Sequence, residues 1–418
     1  MASTILGSIS LGYQPLWSQL RQLCGVQLFV GVDAHIDALH LLEALDELWS
    51  VQAPVLLLSV QSPRLLRDIL EHAPANSPWI EVHETQLHDP AMAPRVQQAH
   101  QRGMKLVWRG EPGARPGGAL APCFLRTMVT LTAEEALTSL RVSLRKHNGT
   151  DAAQARHLTN LSSPVLPGQI YEAVASRVLA EHCLDEQRAW GVAGWPMEDV
   201  LHGYRHRQIQ PGQQTITRLV EAIDADDSVE HIELILSEEP ILAYRFLRYA
   251  NSAALGRRTD IDSIRQGLMV LGLSLLRSWL LEQLPHASGD LNLQPVRTTL
   301  ALRAHLMNHL LDAGDGDDLR REVYLCGLLS QMDLMLGEPL NAALARLPLS
   351  QRITSAILDH SGPYMPYLDV AAALESPNTQ ATRALCDLHQ MNSEEVNRAL
   401  LRTLSQIRPR PARGLLLA

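Results

Sequence analysis

The chain has 418 residues, 46% of them apolar and 19% charged, with a net charge of -9 and a pI near 6.0. Such a length suits two domains, the composition excludes a disordered chain, and the acidic balance suits a nucleic-acid backbone poorly, so no nucleic-acid partner is expected. Five scattered cysteines without a CxxC pair predict reduced thiols. The start has no basic, then apolar, leader, and the longest apolar stretch (residues 267–281) contains Arg277 and is too short for a bilayer, so a cytoplasmic location without membrane insertion is expected.

The first half alternates strand-like and helix-like segments. Residues 38–49 place Leu41, Leu42, Leu45, Leu48 and Trp49 at helical spacing, and residues 55–60 are an apolar run that fits a buried strand. Shorter strand-like pieces follow at 80–83 and 106–108, then a Gly- and Pro-rich loop at 110–122. Strand and helix in alternation predict a parallel α/β layout.

From about Pro211 the rhythm becomes helical. Asp226, Asp227 and Ser228 are N-cap candidates before Val229, Ile232, Ile235 and Leu236, and Pro240 suits a first helical turn. Asp262 and Ser263 can cap a helix carrying Ile264, Leu268 and Leu271, which Gly272 bends or stops. Further helices are predicted near 297–312, 319–336, 339–346, 350–359 and 379–404, with a polar linker at 198–212 and an unpacked tail from Arg408.

Within that half, Glu239-Pro240-Ile-Leu, Arg248-Tyr-Ala-Asn251-Ser252, residues 261–264 and Leu271-Gly272 resemble the HDOD domain, an all-α bacterial signalling module related to HD phosphohydrolases. The resemblance implies candidate interaction or motif residues Glu239, Pro240, Arg248, Asn251 and Ser252. For Arg248 and Asn251 a structural role is preferred, because Asn at a helix end satisfies local backbone groups. An HD enzyme would carry a His-Asp pair where this chain has Ser330-Gln331, poor ligands for a divalent metal. His305 and His309 share a helix face, yet Leu-Met-Asn between them supplies no general base. No Gly-Tyr-Pro signature follows, so neither metal nor cofactor is expected in this half.

The first half, about residues 8–197, resembles EAL phosphodiesterases, TIM-barrel enzymes that hold two metals at strand ends and hydrolyse cyclic di-GMP. Leu11-Gly-Tyr-Gln-Pro15 resembles the first strand, and Gln27 stands where the metal-binding Glu belongs. Gln61 stands for an Asn, Glu81 and Glu84 are retained acids, and Arg109-Gly110 replaces an Asp-rich loop. An Arg about 4 Å from a divalent ion would oppose it by roughly 8 kcal/mol at an effective dielectric near 20. The literal strings Glu43-Ala-Leu45 and Glu135-Ala-Leu137 lie in helix-like segments, and residues 191–196 echo a closing strand. The half is short for a complete barrel, so missing or distorted strands are expected.

The fold expectation is therefore a degenerate, incomplete TIM-barrel-like EAL domain at 1–197, a linker at 198–212, an all-α HDOD domain at 213–400 and a tail at 401–418, an EAL/modified HD-GYP architecture. The functional expectation is a non-catalytic signalling protein that acts on other signalling proteins, without catalytic or metal residues and without a cofactor. Two alternatives stand beside it. One is a cyclic di-GMP sensor that contacts the nucleotide through Trp108 and Arg109. The other is a residual phosphodiesterase using Glu81 and Glu84.

Overall fold

The computed structural model describes residues 4–32, 36–148, 162–252, 260–311 and 316–407, with side chains omitted at 146–148 and at 317 and 318. The tail predicted from Arg408 lies outside the described residues. The chain forms two compact units, one built from residues up to Asp199 together with those from Ala373 onward, the other from Val200–Ala372.

In the first unit β1 (Ile9–Trp17), β2 (Leu23–Val32), β3 (Val55–Val60), β4 (Trp79–His83), β5 (Leu106–Arg109), β6 (Arg126–Thr130), β7 (Ile170–Glu172) and β8 (Gly191–Ala193) close into a barrel in sequence order. β1 runs antiparallel to both β2 and β8, and the remaining neighbours are parallel. The barrel is thus complete, which corrects the expectation of missing strands. The short half accommodates closure because β7 and β8 span three residues each.

Helices α1 (Ala38–Leu48), α2 (Pro63–His72), α3 (Met92–Gln101), α4 (Ala133–Asn148) and α5 (Arg177–Glu181) follow β2, β3, β4, β6 and β7. Their starts are chemically marked. The Asp37 carboxylate accepts from the His40 amide, and Ser62 precedes Pro63 at the first turn of α2. α2 then turns Leu65, Leu66, Ile69 and Leu70 inward. Glu43 lies in α1 and Glu135 in α4, so both literal Glu-Ala-Leu strings are helical as expected.

α6 (Met197–His202) leads into the helical unit: α7 (Gln213–Asp224), α8 (Val229–Ser237), α9 (Pro240–Ala250), α10 (Ile264–Leu271), α11 (Leu273–Gln283), α12 (Leu293–Leu310), α13 (Asp317–Leu329), α14 (Met332–Leu336), α15 (Leu340–Leu344), α16 (Gln351–Leu358) and α17 (Met365–Leu374). Ser228 and Ser263 cap α8 and α10 through their side chains. Gly272 adopts φ 76°, and α10 and α11 meet there at 107°. The expected linker is ordered: α6 occupies part of it, and the Tyr204 hydroxyl donates to Asp290 at 2.5 Å. Among the described residues no single helix is long and apolar enough to cross a membrane.

Two last helices, α18 (Thr379–Leu388) and α19 (Ser393–Ser405), belong with the barrel. α18 packs against β1 and β2, and α19 against α1 and β1. Asn397 is buried and donates to the carbonyls of Leu6 at 2.8 Å and Ile9 at 2.9 Å. The helical unit therefore ends near Ala372 instead of residue 400, and the helix expected over 379–404 is broken before Asn392, which caps α19.

Candidate functional site in the barrel

Strand alternation builds the barrel interior. Leu57, Trp79, Val107, Met128 and Ile170 form an apolar layer with Leu16 and Ala193. Two residues further along each strand the side chain returns to the same face. There stand Ser59, Glu81, Arg109, Thr130 and Glu172, completed by Gln27 on β2. They occupy the C-terminal half of the parallel strands, the end at which TIM barrels carry chemistry.

The six residues form one network. Gln27 Nε2 donates to Ser59 Oγ at 2.9 Å and to Glu81 Oε2 at 2.7 Å, and Ser59 Oγ donates to the same Glu81 oxygen. Arg109 bridges the two acids: Nη1 lies 3.3 Å from Glu81 Oε1, Nε donates to Glu172 Oε1 at 3.0 Å, and Nη2 lies 2.8 Å from Glu172 Oε2. Thr130 Oγ1 donates to Glu172 Oε1 at 2.7 Å. Glu81 and Glu172 are buried, while Arg109 keeps 30% of its side chain exposed. Burial disfavours the guanidinium charge, yet attraction to Glu81 and Glu172 outweighs it, so Arg109 is held above its ordinary value.

The residues do not fit a pair of divalent cations. Glu81 and Glu172 turn their oxygens to Arg109, Ser59 and Thr130, and Gln27 is neutral. Gln27 Oε1 is the buried acceptor left without a hydrogen-bond partner. Among the described residues no three His, Cys, Asp or Glu side chains group as a metal site.

The barrel mouth is partly filled by residues 374–379. The Gln61 side chain donates to the Pro377 carbonyl at 3.1 Å and accepts from Thr379 Oγ1 at 3.0 Å. A Cβ at Gly12 would stand 2.1 Å from the Ser376 carbonyl oxygen, and one at Gly31 would stand 2.2 Å from Thr379 Oγ1. Glycine at both positions is what lets this segment approach β1 and β2.

The sequence-predicted residues fall differently from one another. Glu81 and Arg109 meet as neighbours inside the barrel. Arg109 is ion-paired with Glu81 and Glu172. Trp108 is buried on the opposite face of β5, so strand alternation separates it from Arg109. Glu84 lies outside the cluster and accepts from the Glu111 amide. Ser59, not Gln61, takes the β3 place in the network. Glu172 was missed because β7 is only Ile-Tyr-Glu, and Thr130, at the end of β6, was missed with it. The Pro167-Gly168 turn just before it was the available signal.

In the helical unit Glu239 precedes Pro240 at the start of α9 and pairs with Arg297 at 2.9 Å, both side chains at most 2% exposed. Burial pushes the Glu239 carboxyl up, with Arg297 and the Gly212 backbone pulling it back. Asn251 Nδ2 donates to the carbonyls of Leu247 at 2.9 Å and Ile261 at 2.8 Å, and its Oδ1 accepts from the Ile261 amide at 2.8 Å. It is a clasp that ties the end of α9 to Ile261. Among the described residues the buried Ser252 hydroxyl has no hydrogen-bond partner, and Arg248 lies over the Tyr244 ring. Ser330 Oγ donates to the Gly327 carbonyl at the end of α13, and Gln331 precedes α14. His305 lies 5.3 Å from the Tyr324 ring, centroid to centroid. Burial, then repulsion from His309, pushes it down to about 4.

The HDOD domain family matches residues 210–346. The chain thus joins an EAL-like TIM-barrel domain to an HDOD domain, the composition of a bacterial signalling protein. It is 24% identical over 180 residues to the cyclic di-GMP phosphodiesterase CdgJ of Vibrio cholerae, covering 41% of this chain and 39% of that protein. It is 27% identical over 182 residues to YuxH of Bacillus subtilis, covering 42% of each. The matches thus span about two fifths of both relatives. Among solved structures, the EAL enzyme Bd1971 bound to cAMP and cyclic di-GMP superposes with a TM-score of 0.29 at 13% identity, over 45% of this chain and 61% of that one, too loosely to carry argument.

Proposed function

We propose that the protein is a non-catalytic signalling protein that works by contact with other signalling proteins in the cytoplasm, its EAL-like barrel serving as a scaffold. The observation that carries this reading is the Arg109 guanidinium between Glu81 and Glu172, where a metal-dependent phosphodiesterase would need cations. A fixed positive charge there both uses up the carboxylate oxygens and repels an incoming divalent ion. Residues 374–379 add to it by covering Gly12, Gly31 and Gln61 at the mouth. They also weigh against the sensor reading, since all three Arg109 nitrogens already face carboxylates.

The test is turnover of cyclic di-GMP by the full chain with magnesium or manganese. No hydrolysis is expected. Metal-dependent turnover that disappears in Glu81→Gln would overturn the reading. Micromolar cyclic di-GMP binding lost in Arg109→Ala would replace it with the sensor.

A further inference from the structure

Arg245 and Arg248 are one turn apart on α9 and so share a flank of that helix. Arg245 is half-buried, and its Nη1 donates to Gln283 Oε1 on α11 at 3.3 Å. Arg248 is exposed, with its guanidinium 5.7 Å from the Tyr244 ring centroid. Among the described residues neither forms an ion pair.

Charges nearby are already matched. Arg346 is paired with Glu338 at 2.7 Å. Glu239 attracts Arg245 but is engaged by Arg297, so one carboxylate faces two guanidiniums. Burial, then repulsion from Arg248, hold Arg245 below its ordinary value. A half-buried, uncompensated cation beside a like charge lowers stability. Residues that cost stability without a structural return are characteristic of binding sites.

The chemistry of the flank narrows the ligand. Two planar forks offer paired N–H donors, and the Gln283 amide NH2 group adds another donor beside Arg245. A carboxylate would balance only one of the two cations, whereas a phosphate monoester carries about −1.5 to −2 charge and three acceptor oxygens. Tyr249, stacked on Trp279 with centroids 5.6 Å apart and planes at 17°, gives the flank a fixed aromatic border.

We propose that Arg245, Arg248 and Gln283 form a binding site for a phosphate monoester on the helical unit. The site stands independently of the state of the barrel. The full-length protein and an Arg245→Gln/Arg248→Gln variant would be titrated calorimetrically at low ionic strength. One probe is inorganic phosphate, the other a short phosphoserine peptide without further charge. At least one probe should saturate the wild type and bind about tenfold or more weakly to the double variant. Phosphate alone would identify a small phosphorylated metabolite as the source, and the peptide alone a phosphorylated partner. Without ligand, Arg245→Gln should melt no lower than the wild type. The proposal fails if neither probe saturates at millimolar concentration, if the double variant binds as well as the wild type, or if Arg245→Gln unfolds the protein.

Discussion

Removing the Arg109 side chain tests whether that guanidinium is the internal cation of the barrel. Arg109→Met keeps an apolar stem of similar length but leaves Glu81 and Glu172 buried without their bridge. Breaking a buried ion pair by deleting one partner costs about 3–5 kcal/mol. Arg109 is 30% exposed, so water replaces part of what is lost and about 2–3 kcal/mol is expected. For a domain of this size that corresponds to a melting temperature lower by about 4–12 °C. The triple variant Glu81→Gln/Arg109→Met/Glu172→Gln removes the charges together and should recover most of the loss, because no uncompensated carboxylate remains. Urea unfolding followed by tryptophan fluorescence reads both, since Trp17, Trp79, Trp108 and Trp190 are all in this unit. Wild-type stability in Arg109→Met, or a triple variant no better than the single one, would refute the bridging role.

Asn251→Leu should destabilise the helical unit by about 2–4 kcal/mol, because it leaves the buried Ile261 amide and carbonyl unsatisfied; hydrogen exchange at Ile261 and a thermal melt check this, and an unchanged melt contradicts the clasp. His305 titrates near 6.5 when unfolded and near 4 when folded, so the unfolded chain binds the extra proton between those values. Stability is therefore full above about pH 6.5 and falls by at most about 1.4 kcal/mol per unit as the pH drops through about 4, and His305→Gln should flatten that slope in denaturant titrations at several pH values. Gly12→Ala should displace residues 374–379, costing about 1–3 kcal/mol and opening that segment to limited proteolysis, because its methyl group meets the Ser376 carbonyl instead of a yielding side-chain end.

How much was legible depended on how local each signal was. Residues 55–60 announced β3 because an apolar run, interrupted only by Ser59, is buried on both faces of a parallel strand. Ser228, Ser263 and Pro240 marked helix starts by chemistry that acts within one turn. β7 and β8 were harder because three-residue strands show little alternation. α17 was missed because Met-Pro-Tyr-Leu-Asp-Val-Ala-Ala-Ala-Leu is apolar nearly all round and shows no helical face. Periodicity revealed α18 and α19 as helical but could not say which core they serve. What ties them to the barrel is long-range contact, such as Asn397 with the Leu6 and Ile9 carbonyls.

The barrel site was legible as a set of departures, but their purpose emerges only when they are taken together. Arg109 alone would repel a metal and gain nothing. With Glu81 and Glu172 retained on either side, it meets two carboxylates that otherwise would oppose each other. With Gln27 in place of an acid, the excess negative charge is lower and an amide donor reaches the second Glu81 oxygen. Ser59 then donates to the Glu81 oxygen that Gln27 reaches, and Thr130 to the Glu172 oxygen that Arg109 Nε addresses. The changes are mutually dependent: restoring an acid at 27 without removing Arg109 would leave its charge facing Glu81, and removing Arg109 alone would leave two acids unbridged. Gly12 and Gly31 extend the same dependence outward, since the segment over the mouth can lie close only where neither β1 nor β2 carries a side chain. A site whose two carboxylates are met by Arg109, Ser59, Thr130 and Gln27, beneath a segment of its own chain, is held in a fixed shape.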